Sequence, residues 1–248
     1  MIELYDVTKT FGKGKNAITA LRGVTLQGRS GEILGLVGAN GAGKTTLMRL
    51  IATTLSPSSG KITVLGKDAT KSSAEIRQSV GILFGGDAGL YDRLTVRENV
   101  EYFARLAGKS KEEAHTRTEE LARIFAMEGY LDRPAGKLSK GMKQKTCFAR
   151  AIVHNPPVML LDEPTSGLDA LAAEEVWEFM RLCRKQGKTV VFSTHNMGEV
   201  EDLCDRVAVV RRGEIVACDT PQALISAYGV KNFKQVFYQL VGVEDENA

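Results

Sequence analysis

The segment GANGAGKT at residues 38–45 decides the fold of this chain, because its spacing matches the pattern GxxxxGK[ST]. The run ILGLV at residues 33–37 is typical of a buried strand, and KTTLMRLIATTL, which overlaps the end of the segment, is typical of a helix. Glycines let backbone N–H groups face phosphate oxygens, and the helix N-terminus adds partial positive charge. The segment therefore predicts a phosphate-binding loop; the alternative is a glycine-rich turn without a ligand.

The end of this loop indicates which ligand it holds. Lys44 is placed to reach the β- and γ-phosphates of a nucleotide, and Thr45 is placed to offer its hydroxyl to Mg²⁺. A nucleotide with Mg²⁺ is therefore the expected occupant. The residues of this segment that we expect to contact it are Gly38, Asn40, Gly41, Ala42, Gly43, Lys44, Thr45 and Thr46.

A second segment, VMLLDEPTSGLD at residues 158–169, predicts the acidic half of the same site. Four apolar residues form a buried strand, and Asp162 at its end is placed to hold Mg²⁺ through water, opposite Thr45. Glu163 follows directly and is placed to polarise an attacking water. An apolar run ending in two acids is by itself also typical of a capped strand end.

A third segment, LSKGM at residues 138–142, contains a turn from Ser139 to Gly141 that leads into a helix. A helix N-terminus of this kind predicts a second anion-binding site, and an ordinary helix cap is the alternative. One chain has little use for two such sites around one γ-phosphate, unless another copy of the chain provides the second.

The order of strands and helices predicts an α/β fold with a mostly parallel sheet, because the two types alternate on both sides of a helical insert. We expect a single domain over residues 1–248. Residues 1–86 and 151–226 form its α/β core, residues 87–150 form a helical lobe, and residues 227–248 form a short C-terminal tail.

The composition is typical of a globular protein, with 25% charged and 43% hydrophobic residues. A net charge of +3, with no basic block of five or more residues, is too small to indicate nucleic-acid binding by itself, and no nucleic-acid partner is expected. Four scattered cysteines without a CxxC pair indicate neither a disulfide framework nor a zinc site, and fit a reducing cytosol. No apolar run approaches the roughly 18 residues that a membrane span requires.

Taken in order, these motifs resemble those of an ATP-binding subunit of an ABC transporter, and the resemblance covers nearly the whole chain. GANGAGKT resembles the Walker A loop, VMLLDE the Walker B strand, LSKGM the family signature, SGLD the D-loop and FSTHN the switch-histidine strand. The resemblance implies a P-loop NTPase fold: a RecA-like, mostly parallel core, an N-terminal antiparallel β subdomain and an inserted α-helical lobe. It also implies Mg²⁺-dependent ATP hydrolysis.

The same resemblance implies roles for individual residues. Glu163, His195 and Lys44 are the expected catalytic residues, and two copies of the chain are expected to form a head-to-tail homodimer around two ATP molecules. Ser139 and Gly141 of one copy would contact the γ-phosphate bound by the other copy.

Two further positions follow from the resemblance. Asp169 would lie at the seam of the dimer. Phe11, just before Gly12, would stack on the adenine, as an aromatic of the first loop usually does in this family. A phenylalanine in the core of a strand is the alternative.

The partner implied is an integral-membrane permease subunit, which would hold the chain at the cytoplasmic face of the cell membrane. The segment LYDRLTVRENV resembles the start of the lobe that docks on such a permease, with Thr95 as an N-cap and Glu98 completing a capping box. Leu90, Tyr91 and Leu94 form either an apolar contact surface or part of the packing inside the lobe.

The loop before this segment departs from the family pattern, because Gly85 stands where most members carry a glutamine that touches Mg²⁺ and the attacking water. Water, a backbone carbonyl or the side chain of Asp87 could replace that ligand, and we favour water or backbone. This FGG variant, together with LSKGMKQK, resembles the ATPase of bacterial two-component sodium exporters of the NatA kind. The alternatives are the ATPase of a drug or polysaccharide exporter, or an ABC-type ATPase acting on ribosomes or DNA.

Overall fold

The computed structural model describes residues 1–84 and 89–242, which form two sheets and nine α-helices within those ranges. The strands are β1 (Ile2–Phe11), β2 (Ile18–Gly28), β3 (Ile33–Val37), β4 (Ser59–Val64), β5 (Lys67–Asp68), β6 (Val80–Leu83), β7 (Val158–Asp162), β8 (Thr189–Ser193), β9 (Arg206–Arg211) and β10 (Glu214–Asp219). The helices are α1 (Lys44–Ile51), α2 (Ser73–Gln78), α3 (Val96–Leu106), α4 (Lys111–Ile124), α5 (Lys140–Ile152), α6 (Ala170–Lys185), α7 (Met197–Leu203), α8 (Pro221–Ala227) and α9 (Phe233–Val241).

The larger sheet has six strands in the order β10-β9-β3-β8-β7-β6. The five strands from β9 to β6 run parallel, and β10 adds an antiparallel edge. Every residue of β3, β7 and β8 is buried, which explains why these strands read as continuous apolar runs in the sequence. The carboxyl ends of β3, β7 and β8 therefore meet at one edge of the sheet.

The smaller sheet is antiparallel and has the order β2-β1-β4-β5. Helix α1 shares one core with strands of both sheets, because its side chains Leu47, Met48, Leu50 and Ile51 are completely buried among them. The predicted fold class, an α/β P-loop core with an N-terminal antiparallel subdomain, is confirmed.

Helices α3, α4 and α5 lie between β6 and β7 in sequence and form the helical lobe. The predicted capping box of α3 is present: Thr95 accepts from the backbone N–H of Glu98, whose side chain bonds back to the Thr95 N–H. Phe125, Phe148 and Phe179 make mutual ring contacts at 5.2–5.9 Å, so α6 of the core packs directly on the lobe. The predicted border at residues 86 and 87 lies outside the described residues.

The C-terminal part of the described chain contains more structure than the predicted short tail. Helix α9 buries Phe233 and Val236 completely, and Arg211 of β9 donates to the carbonyl of Leu240. The sequence-based description of residues 227–248 as a tail missed this helix. Within the described residues, no helix combines the length and hydropathy needed to cross a bilayer.

Candidate nucleotide site

The loop between β3 and α1 is shaped by two glycines. A Cβ on Gly38 would lie 2.3 Å from the carbonyl oxygen of Val210, so no other residue fits this close approach to β9. Gly43 has a φ of 115°, and a Cβ there would lie 2.8 Å from the side chain of Leu21. The loop is therefore pressed against neighbouring strands at both ends, which fixes the start of α1.

Lys44 extends back along this loop. Its Nζ donates to the carbonyl oxygens of Gly38 at 2.5 Å and Ala39 at 3.0 Å, and the side chain is buried. Burial lowers the pKa of Lys44, while the carboxylates of Glu163 and Asp162 act in the opposite direction. The ammonium thus lies between the phosphate-binding loop and both acids predicted from the sequence.

A cavity of about 390 Å³ opens over the loop and brings together most of the predicted nucleotide-site residues. Ala20 of β2 also lines it, and the sequence analysis did not single out this residue. The wall consists of Ala20, Asn40, Gly41, Ala42, Gly43, Lys44, Thr45, Thr46, Asp162 and Glu163. Gly38 does not line the cavity; it contributes to the conformation of the loop through its close approach to β9.

Asp162 lies at the end of β7 and is held on both sides. Its Oδ2 accepts from the hydroxyl of Thr45 at 2.8 Å, and its Oδ1 accepts from the hydroxyl of Ser193. The parallel register pairs Asp162 with Ser193 at the ends of β7 and β8, which brings the two side chains together. Ser193 was missed as a site residue because its contact depends on this register.

The oxygens of Thr45 and Asp162 fit Mg²⁺, which prefers a few hard oxygen ligands and completes its shell with water and phosphate. Within the described residues no group of three or more His, Cys, Asp or Glu side chains could hold a metal by itself. This donor set is therefore suited to an ion that arrives with a nucleotide.

Glu163 has a left-handed backbone with a φ of 48°, which costs a non-glycine residue on the order of 1–3 kcal/mol. Its N–H donates to the Ser193 carbonyl at 3.2 Å and hydroxyl at 3.1 Å. The side chain is one-third exposed, and its Oε1 lies 3.4 Å from Nδ1 of the largely exposed His195. The structure therefore brings Glu163 and His195 together at the rim of the cavity.

Ser139, Gly141 and Asp169 do not line this cavity. Exposed Ser139 caps α5 by accepting from the Met142 N–H at 3.3 Å, and exposed Asp169 caps α6 by accepting from the Ala172 N–H at 2.9 Å. A Cβ on Gly141 would lie 3.6 Å from the carbonyl oxygen of Gly167, so the two segments run side by side.

A buried carboxylate behind the site was not predicted. Glu199 of α7 is 3% exposed and accepts from the hydroxyls of Thr165, at 2.6 Å, and Thr194. Thr165 lies two residues after Glu163, and Thr194 directly precedes His195. Glu199 therefore ties the loop that follows β7 to the loop that follows β8. The acid follows His195 by four residues, a spacing that the sequence analysis did not consider.

Two further sequence predictions concern the adenine contact of Phe11 and the loop that contains Gly85. Phe11 ends β1, is 41% exposed and has the Lys9 ammonium 5.0 Å from its ring centroid. It does not line the cavity, but the hairpin it belongs to also carries Ala20. Gly85 and Asp87 lie outside the described residues.

Comparison with known proteins agrees with this geometry. The family model described as "ABC transporter" matches residues 21–166. The ABC transporter ATP-binding protein NatA of Bacillus subtilis is 43% identical over 96% of each chain. The methionine import ATP-binding protein MetN of Geobacillus kaustophilus is 38% identical, covering 87% of this chain and 64% of the relative. The Nod factor export ATP-binding protein I of a Rhizobium species is 38% identical, covering 92% and 73%.

Solved structures show the same similarity. An ATP-binding subunit of an ABC transporter superposes with a TM-score of 0.88 and 29% identity, covering 97% of this chain and 99% of the other. The ATP-binding cassette MJ0796, in a dimeric post-hydrolysis state bound to ADP and Pi, gives a TM-score of 0.83 at 29% identity and covers 89% and 98%. With the phosphate-binding loop, the paired acids and these matches in agreement, this chain belongs to the ABC transporter family as an ATP-hydrolysing, ATP-binding subunit.

Proposed function

We propose that this subunit hydrolyses Mg²⁺-ATP at the loop of residues 38–45 to power export through a separate membrane permease, with Na⁺ as the exported ion. The observation that carries the catalytic part is the single cavity in which the phosphate-binding loop faces both Asp162 and Glu163. The proposal for Na⁺ is supported by the resemblance to sodium-exporter ATPases and by the identity with NatA along the full length of both chains.

In this proposal each residue of the cavity has one task. Lys44 and the N–H groups of the loop bind the phosphates, and Thr45 and Asp162 would hold Mg²⁺, which when bound neutralises phosphate charge. Glu163 orients and polarises the attacking water, and His195, 3.4 Å from the carboxylate, helps to hold that water and the γ-phosphate.

The proposed dimer is head-to-tail, so that each ATP lies between two copies. Ser139, Gly141 and Asp169 lie outside this chain's own cavity, and Ser139 and Asp169 are exposed, which leaves them free to face a second copy. The dimeric state of the similar cassette MJ0796 with ADP and Pi supports this arrangement.

The proposed permease contact lies on the helical lobe. Tyr91 and Tyr102 are more than 40% exposed and stack edge to face at 5.6 Å, and Leu106 is 62% exposed. Leu90 instead packs against the core, so the predicted apolar segment divides between a surface and an interior contact. Docking there would place the chain at the cytoplasmic face of the membrane.

The catalytic proposal is tested by Glu163→Gln, with exposed Glu214→Gln as the matched control. We expect Glu163→Gln to lower ATP turnover at least a hundredfold, because the remaining amide no longer polarises water. It should also shift the chain from monomer to dimer in size-exclusion chromatography with saturating ATP and Mg²⁺. A variant that hydrolyses normally, or stays monomeric under those conditions, would contradict the proposed roles.

The transport proposal is tested by ²²Na⁺ flux in inside-out vesicles that contain the chain and its co-purified permease. ATP should drive Na⁺ accumulation with the wild-type chain and with Glu214→Gln, but not with Glu163→Gln. ATP hydrolysis without Na⁺ movement would overturn sodium export; stimulation by a drug or a polysaccharide would then identify the cargo class.

A further inference from the structure

Gln144 connects the lobe to the catalytic loop. It lies on α5, the helix that begins at the signature segment, five residues after the N-cap Ser139. Its Nε2 donates to the carbonyl oxygen of Glu163 at 3.3 Å and to that of Pro164 at 2.9 Å. Both amide hydrogens thus point at two successive carbonyls of the loop after β7, which also fixes the orientation of the amide.

The residue that Gln144 contacts has an unusual backbone conformation. The left-handed φ of Glu163 persists only where the surroundings determine it, and here both of its peptide groups are bound. Ser193 accepts a hydrogen bond from the N–H of Glu163. The carbonyl of Glu163 accepts hydrogen bonds from Gln144 and from the N–H of Ser166. Without Gln144, the Glu163 carbonyl would keep the Ser166 N–H and the Pro164 carbonyl would lose the Gln144 amide, which loosens one end of the segment that aims the Glu163 side chain.

Other contacts already fasten α5 to the core, so Gln144 is not needed for adhesion. Lys145 forms an ion pair with Glu175 of α6 at 2.6 Å and donates to the carbonyl of Phe125 at 3.0 Å. The buried phenylalanines 125, 148 and 179 pack the same helices together. Loss of the Gln144 bonds should accordingly leave α5 in place while changing the loop.

We infer that Gln144 is a positioning residue for ATP hydrolysis, which holds the peptide after Glu163 so that the carboxylate faces His195 and the water. The inference rests on the proposed role of Glu163. It makes α5 serve two sites: Ser139 at its N-terminus would contact the partner's nucleotide, and Gln144 fixes the acid of its own chain. A shift of α5 is thereby transmitted to Glu163, and small displacements of a catalytic group cost much of the rate.

The test is Gln144→Met in the full-length chain, which keeps the length of the side chain and removes both donors. Exposed Gln186→Met at the C-cap of α6 is the matched control. We expect Gln144→Met to lower kcat about tenfold with the KM for ATP unchanged within about twofold, since the loop that binds phosphate is intact. Gln144→Glu should lower kcat at least as much, because a carboxylate would face two carbonyl oxygens.

A donor at this position should restore turnover. Gln144→Lys supplies N–H groups again and should recover most of the lost kcat, with thermal unfolding of all variants within a few degrees of the wild type. Wild-type kcat in Gln144→Met, or a Lys variant that folds normally yet is as slow as the Met variant, would overturn the inference. If Glu163→Gln retains turnover, the proposed role of Glu163 has failed; if it abolishes turnover and Gln144→Met does not, only the inference has failed.

Discussion

Ser193 orients both acids of the site with one hydroxyl. The Oγ donates to Asp162 Oδ1 and accepts from the N–H of Glu163, and the residue is completely buried. Groups that orient a metal ligand from behind strongly affect metal affinity, because an unsupported ligand must be ordered when the metal binds. The hydroxyl of Ser193 is thus the support for an Asp162 that also bonds Thr45.

We therefore expect Ser193→Ala to raise the Mg²⁺ concentration for half-maximal ATP hydrolysis at least severalfold, since Asp162 keeps only Thr45 as a partner. The unfolding free energy should fall by about 1–3 kcal/mol, because buried polar groups lose their partner. A Mg²⁺ titration of turnover measures the first effect.

The control for this change is Thr189→Val at the opposite end of β8. Thr189 is also buried and donates to the carbonyl of Arg29 at 3.0 Å, away from the site. It should lose stability and keep the wild-type Mg²⁺ requirement. An equal Mg²⁺ shift in both variants would show that the effect is general destabilisation.

The cavity residues that sequence motifs predicted are those that lie next to each other along the chain. Lys44 and Thr45 belong to one loop, and Asp162 and Glu163 end one strand, so local spacing identifies them. Gln144, Ser193 and Glu199 were not predicted, because each reaches a partner between 19 and 34 residues away through strand register or helix docking. Residue spacing alone carries no information on those contacts.

At the scale of elements, the turn that follows α5 carries a half-buried histidine, His154, two residues after the helix ends. The His154 side chain bonds to the backbone of Val80, and within the described residues its Nε2 has no hydrogen-bond partner. Burial lowers the pKa of His154 below its ordinary value of 6.5; the charges of Lys109 and Lys188 lower it further, and the Val80 bond acts in the opposite direction. The folded chain therefore favours the neutral form of this ring more than the unfolded chain does.

Acid should weaken the fold through this group. Because the folded pKa lies below 6.5, the unfolded chain binds the proton more readily, so the contribution to stability is complete above pH 6.5 and is lost as the pH falls through the folded pKa. We expect the unfolding free energy of wild type to fall, relative to His154→Gln, between pH 7.5 and 5 in urea titrations. The control is the exposed Gln186→Met, which removes no titratable group and should follow the wild-type curve. Parallel curves for wild type and His154→Gln would contradict the expectation.

At this scale, completely buried strands were predicted well and short helices were predicted poorly. The buried strands β3 and β7 follow closely the apolar runs that predicted them. Helices α2, α8 and α9 were not predicted; α2 and α8 are six and seven residues long, and α9 has only nine. Such helices are marginal alone, because their stability comes from the surface on which they dock.

At the scale of the whole molecule, α9 packs against the main core next to α7, the helix that follows His195. Phe233 is completely buried, and its N–H donates to Glu201 of α7 at 2.9 Å. Helix α7 begins two residues after His195, so the C-terminal helix braces the element that follows the histidine. Burial of one phenylalanine in this position joins α7, α9 and β9 into one packed unit.

Phe233→Ala should lower the unfolding free energy by about 3–5 kcal/mol, since it leaves a cavity in a fully packed region. Gln239→Ala, an exposed position on the same helix, should change it by no more than about 0.5 kcal/mol. Urea unfolding followed by circular dichroism measures both. A Phe233→Ala variant as stable as Gln239→Ala would show that α9 is not part of the cooperative core.

The strand order has a consequence for the order of events during synthesis. Among the described residues, strand β3, which leads into the phosphate-binding loop, pairs with β8 and β9, and both are synthesised at least about 150 residues later. A ribosome that has released the first two-thirds of the chain thus exposes an apolar strand with both edges open. Nucleotide cannot rescue such a nascent chain, because the acid beside Thr45 is correctly placed only once β8 has inserted. ATP can therefore stabilise the chain only after β8 has joined the sheet, and until then the exposed strand is prone to aggregation.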